Sequence, residues 1–293
     1  MGLLDDLKFQ YKIGNVAVRL IFWNLVLFAV PAVVFAILQL FHIRIEYLNV
    51  VSLSTDWSDL LWKPWSLLSY AFFHSGIIHL IFNMLMLHFV GQLFLTFFTQ
   101  KQLLAVYILG AIFSGLLYML GYQFLPALVG VHASMVGASG AIMAILLATV
   151  SYQPNMQIRL LLIGTVKLWQ IALVLIIIDL IQLPMDNTGG HIAHLSGAFF
   201  GYIYIKLLQN GTDLGSGLHV IIDGIAAIFS GRKTTPFKKV HVNPRKPAVK
   251  RESKIVAKDK TQQQIDEILD KISQSGYDSL TSEEKEFLFK AGK

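Results

Sequence analysis

The chain has 293 residues, 55% of them hydrophobic and only 14% charged, with a net charge of +6 at pH 7. Soluble domains carry about 25% charged residues, so an ordinary soluble globular protein is excluded and the membrane class is indicated. The absence of cysteine excludes a disulfide framework and a thiol nucleophile.

Residues 1–14, "MGLLDDLKFQYKIG", are mixed in charge, and the apolar run that follows is too long for the core of a cleavable signal. A span needs roughly 20 apolar residues. On that measure six spans are expected, over residues 16–41, 77–98, 103–125, 136–152, 168–183 and 190–208. Pro31 lies inside the first and is expected to kink it. The polar stretch 42–75 holds Trp57, Trp62 and Trp65, aromatics suited to an interfacial loop.

Basic residues sort by side. Lys8, Lys12 and Arg19 lie before or at the start of the first span, Lys101 lies between the second and third, and Arg159 and Lys167 lie between the fourth and fifth. Lys206 and a basic tail close the set. These are alternate connections, so the positive-inside rule puts them and both termini in the cytoplasm. The start of the fourth span then faces outward.

After residue 209 the composition changes. Residues 210–230 include "GLHVIIDGIAAIF", too short to span comfortably and expected to be an amphipathic surface helix. Residues 231–260 carry eleven Lys/Arg against two Asp/Glu, a basic linker expected to be disordered beside anionic lipid. Nucleic acid is not expected as a partner. Residues 261–293 read as a helical hairpin, with apolar Ile265, Ile268, Leu269 and Ile272, a stop at Gly276, and a new start at Thr281 with Glu284 three residues on. It could dock a cytoplasmic partner or be a tail with no role of its own.

Several residues in the spans suggest chemistry. Ser139 sits between Gly137 and Gly140 at the start of the fourth span. Taken alone, it could simply bond to its own helix. The sixth span, however, opens "GGHIAHLSGAFFG", placing His191 and His194 in its first turns. Ionisable residues in spans are costly and mark function by default. Gly197 and Gly201 form a GxxxG pair, and Gly137, Gly140, Ala141 and Ala144 offer a matching small-residue face. Such packing would bring a histidine to Ser139, a nucleophile with a general base. On the second span His79 and Asn83 are four residues apart and share a face. They could serve as donors to an oxyanion or equally as a plain interhelical pair. Asp179 in the fifth span is expected to be a buried, hydrogen-bonded structural residue, with a substrate gate as the alternative.

The set "HSGIIHLIFN", "GASG" and "AHLSGAFFG", in that order on the second, fourth and sixth spans, resembles the rhomboid family of intramembrane serine proteases over roughly residues 15–208. The resemblance implies an all-α membrane protein, a six-helix rhomboid bundle (residues 15–209) to which the C-terminal hairpin is a small cytoplasmic appendage. It implies a Ser139–His194 dyad with no acidic third member, with His191 as understudy. Oxyanion donors map to His79, Asn83 and the backbone N–H groups of Ala138 and Ser139, and His74 to a structural histidine. Three departures stand out: Ser66 after Trp65 in place of arginine, Leu95 in place of glutamate, and Met143 in place of the aromatic that stacks on the histidine.

The implied activity is hydrolysis of transmembrane segments of other membrane proteins, with no cofactor or metal, in the bacterial inner membrane. A non-catalytic relative that binds transmembrane helices is the second class. An ion or metal transporter using His74, His79, His191 and His194 is the third.

Overall fold

The computed structural model describes residues 2–161, 163–229 and 260–291. Two compact units emerge, 1–232 and 233–293. The expected basic linker lies almost wholly outside the described residues.

The first unit is helical. Helix α1 (Leu3–Ile13) is followed by α2 (Val16–Leu40), whose N-cap Asn15 accepts from the Val18 amide, satisfying one free donor of the first turn. The helix runs on through Pro31. The loop that follows is ordered by short helices α3 (Leu48–Val51), α4 (Trp57–Trp62) and α5 (Ser66–Ser69). It also holds a two-residue strand, β1 (Leu53–Ser54). Helix α6 is Ile77–Leu95, and α7 (Gln100–Phe124) starts in a capping box of Thr99 and Gln102. Strand β2 (Ser134–Met135) pairs antiparallel with β1, Leu53 opposite Met135. Helix α8 is Ser139–Tyr152. A hairpin of β3 (Gln157–Leu160) and β4 (Gly164–Lys167) leads to α9 (Leu168–Gln182), α10 (Thr188–Gln209) and α11 (Gly215–Phe229).

Among the described residues three helices, α2, α6 and α7, are long and apolar enough to cross a membrane. Of the six expected spans, the fourth and fifth form shorter apolar helices, of 14 and 15 residues. The expected second span, 77–98, ends three residues early because the chain turns after Leu95. The faces of α2 and α6 bearing Val26, Val30, Val33, Ile78, Phe82 and Leu85 are uncovered by protein, as for helices against lipid.

Helix α8 is the centre. It packs against α10, α7 and α6, and ten of its fourteen residues are buried, as a helix apolar on every side requires. Close approach comes from small residues. A Cβ on Gly197 would overlap the Gly140 carbonyl oxygen, and one on Gly201 would overlap that of Ala144. A Cβ on Gly110 of α7 would lie 2.7 Å from the Ala144 Cβ. Three backbones therefore meet with almost no side-chain spacer.

The first loop is pinned to this bundle by buried hydroxyls. Tyr70 Oη donates to the Ala111 carbonyl (2.7 Å), and Tyr107 Oη to that of Ala71 (2.8 Å). Asn24 Nδ2 donates to Tyr107 Oη. Because Tyr70 and Ala71 lie within four residues of His74, the start of the "HSGIIH" stretch, these bonds set where His74 and His79 enter.

In the second unit, α12 (Lys260–Ser275) and α13 (Ser282–Ala291) flank Gly276, whose φ of +76° suits glycine. The Thr281 amide donates to Glu284 Oε2 (2.7 Å) and the Glu284 amide to Thr281 Oγ1 (3.3 Å), a reciprocal cap. Lys271 Nζ adds a 2.8 Å contact to Glu284.

Candidate active site

Ser139 is the first residue of α8, where the opening amides have no intrahelical partner and the helix dipole favours negative charge. It is half-buried while its neighbours Gly137, Ala138 and Gly140 are buried, so its hydroxyl is the reachable group of the motif. The approach to the helix is shaped by Gly137, held at φ +139° while its N–H donates to the Tyr70 carbonyl (2.8 Å).

His79 stands against that turn. A Cβ on Gly137 would come within 2.8 Å of His79 Cε1 and 3.0 Å of Nε2, so only a glycine admits the ring there. The other ring nitrogen, Nδ1, lies 3.1 Å from Ser75 Oγ. With Nδ1 engaged by serine, Nε2 is the nitrogen presented to the start of α8. Asn83, one turn on and buried, donates Nδ2 to the His79 carbonyl (2.9 Å), leaving its second N–H free of that bond. His74 is 1% exposed and packs edge-on to His79 at 5.2 Å between ring centroids. Neither of its ring nitrogens has a hydrogen-bond partner among the described residues.

Helix α10 brings the other histidines. A Cβ on Gly140 would sit 3.2 Å from the Ala193 carbonyl, so the residues next to Ser139 and His194 are in contact. Among the described residues no hydrogen bond joins Ser139 Oγ to either His194 or His191. Met143, one turn after Ser139, is buried.

A carboxylate stands behind the histidines. Asp179, 5% exposed on α9, places Oδ1 2.8 Å from Nδ1 of His191 and 2.8 Å from Nδ1 of His194. The His191 side chain is 10% exposed and that of His194 25%, so His194 is the more open ring. The donor atoms of these three residues lie within 4.8 Å of one another, a spacing a metal could use. Both rings, however, meet one carboxylate oxygen at hydrogen-bond length, which already occupies their Nδ1 atoms. Of the four histidines considered for transport, His74 packs on His79, and His191 and His194 pair with Asp179.

Sequence reasoning missed Ser75, which follows His74 directly; Asp179 is buried and hydrogen-bonded as expected, but its histidine partners were not foreseen. The signal for the latter was a lone acid in an apolar run. It also missed Ser114 of α7, whose buried hydroxyl lies beside Gly140 and Gly197. His132 lines a cleft with Thr55, Trp57 and Tyr122.

A helical membrane protein with a reachable serine at a buried helix start, faced by histidines from two other helices, is the class that this fold and site define. The chain belongs to the rhomboid family: residues 61–210, just over half of it, match the Rhomboid domain. A second match, over residues 256–290, is to a family of unknown function, DUF6576. Among curated proteins the chain is similar to zebrafish (Danio rerio) "Presenilin-associated rhomboid-like protein A, mitochondrial", 29% identical over 138 residues. That stretch is 46% of this chain and 35% of the relative, so the chain spans about a third of the relative's length.

Proposed function

We propose that the chain is an intramembrane serine endopeptidase that cleaves transmembrane segments of other membrane proteins. The observation that carries this reading is the seating of Gly197 on the Gly140 carbonyl, which sets the turn bearing His194 beside the helix start bearing Ser139. His194 takes the proton of Ser139 Oγ as the oxygen attacks the scissile carbonyl carbon. The oxyanion is met by His79 Nε2, the free Asn83 N–H and the amides of Ala138 and Ser139. The C–N bond then breaks, His194 returns the proton to the leaving amine, and water hydrolyses the acyl-enzyme by the same route in reverse.

Depth supports the same reading. Fourteen residues of helix span about 21 Å, against a hydrocarbon core of about 30 Å. With the Tyr152 end at the cytoplasmic interface, Ser139 falls below the outer surface, where water must reach it through a cavity enclosed by protein. The six-helix arrangement, cytoplasmic termini and a bacterial inner-membrane location belong to this proposal, with Lys and Arg on alternate connections as their support.

The test is reconstitution of the full chain with a single-span model substrate. Cleavage and fluorophosphonate labelling are expected in wild type and lost in Ser139→Ala and His194→Ala. Helix binding without cleavage or labelling would replace this reading with that of a non-catalytic binder of transmembrane helices. Cleavage lost in His191→Ala but kept in His194→Ala would transfer the base to His191.

A further inference from the structure

Asp179 has a geometry that burial alone does not explain. An acid in an apolar helix is costly unless it is paired. Here one oxygen, Oδ1, takes two contacts of 2.8 Å, both from Nδ1 atoms and both from α10. An ionised carboxylate only accepts, so each Nδ1 in such a pair must carry the hydrogen. The consequence differs for the two rings. His191 is the more enclosed. His194 is the more open, on the turn whose Ala193 carbonyl touches α8 at Gly140. With Nδ1–H committed to Asp179, the His194 lone pair is left on Nε2, at the far edge of the ring.

We propose that Asp179 is a positioning residue for this site: it fixes the tautomer and plane of His194 so that Nε2 is the base for Ser139 Oγ. It also steadies the positive ring that forms when that proton moves. His191 donates to the same oxygen and holds the carboxylate in place from one turn earlier. This adds an acid to the dyad that the family resemblance implies, in the manner of a serine–histidine–aspartate triad, in which the acid orients the imidazole and is not itself protonated. The proposal rests on the endopeptidase reading for its catalytic consequence, while the tautomer it assigns stands on the geometry alone. A purely structural contact would leave kcat unchanged in a folded Asp179→Asn protein, and that difference is measurable.

The experiment uses full-length protein in lipid, wild type and Asp179→Asn, with two readouts. The first is kcat and KM on a single-span model substrate, alongside the melting temperature. The second is the nitrogen NMR spectrum of histidine-labelled protein, with His194 assigned by its loss in His194→Gln. Expected for wild type is a neutral His194 protonated at Nδ1. Expected for Asp179→Asn is kcat lower by about 100-fold or more, in line with the loss when a triad acid becomes an amide. KM should stay within about threefold, and the His194 hydrogen should shift to Nε2. Wild-type kcat in a folded Asp179→Asn overturns the proposal, and so does a wild-type His194 protonated at Nε2. If Asp179→Asn does not fold, a wild-type His194 protonated at Nε2 still overturns the proposal. If wild type neither cleaves nor takes the fluorophosphonate label, the endopeptidase reading fails, and the spectrum still judges the tautomer.

Discussion

Gly197 of α10 lies so close to the carbonyl of Gly140 in α8 that a Cβ would overlap the oxygen. The contact is backbone on backbone, one residue from Ser139 on one side and three from His194 on the other. Packed interiors do not yield smoothly to added atoms, and overpacking costs about 1–3 kcal/mol or more. Gly197→Ala and Gly201→Ala should therefore lower the melting temperature and abolish cleavage together, because parting the helices parts the reacting groups. Gly217→Ala, whose Cβ would meet nothing within 4 Å, is the control and should behave as wild type. A Gly197→Ala protein that melts and cleaves normally would refute the packing argument.

Gly137 answers a different constraint. Its φ of +139° disfavours any side chain, and a Cβ would press on His79 at 2.8 Å. Backbone strain of this kind costs about 1–3 kcal/mol. Gly137→Ala should displace His79 and reduce kcat by more than its modest loss of stability accounts for. Turnover measured beside a thermal melt checks this, and equal retention of both would contradict it.

Asn83→Ala removes a buried N–H that the proposed oxyanion would meet. Loss of one such donor lowers kcat by about 10²- to 10³-fold in serine hydrolases, with little change in ground-state binding. Steady-state kinetics on the model substrate should show that split. Turnover within about threefold of wild type would take Asn83 out of the oxyanion hole.

His74 predicts a pH dependence of stability. Burial, with His79 adding a smaller repulsion, pushes its pKa from 6.5 down to about 4. Unfolded chain binds the proton below about 6.5 while the buried ring refuses it until about 4, so the unfolded state holds more protons across that window. Stability should thus fall as pH drops from 6.5 to 4 and level off below, by on the order of 2–3 kcal/mol from this residue. Melting curves of wild type and His74→Phe across the window are the check. The variant should lose part of the slope, and identical slopes would remove His74 as the cause.

Much of the site was legible because its chemistry is rare in lipid. Ser139 between glycines and His191 and His194 at the head of an apolar run announce themselves by identity and spacing. The Gly197/Gly201 pair announces a close helix crossing. The β3–β4 hairpin was legible too and was passed over: Gln157, Ile158, Arg159 and Leu160 alternate outward and inward, as do Gly164 to Lys167. The β1–β2 pair was not legible, since two residues give no period and the partners lie about 80 positions apart.

The order of residues by itself determined the membrane class, the apolar helices and the identity of the groups that could react, because transfer from water to lipid acts on each segment independently. Which groups meet was decided only by tertiary structure. Asp179 joins His191 and His194 across the turn between α9 and α10, His79 rests on Gly137, and Gly197 fits on Gly140, each set by distances between separate helices. Such meetings depend on how three backbones pack at once, and no local pattern of side chains encodes that.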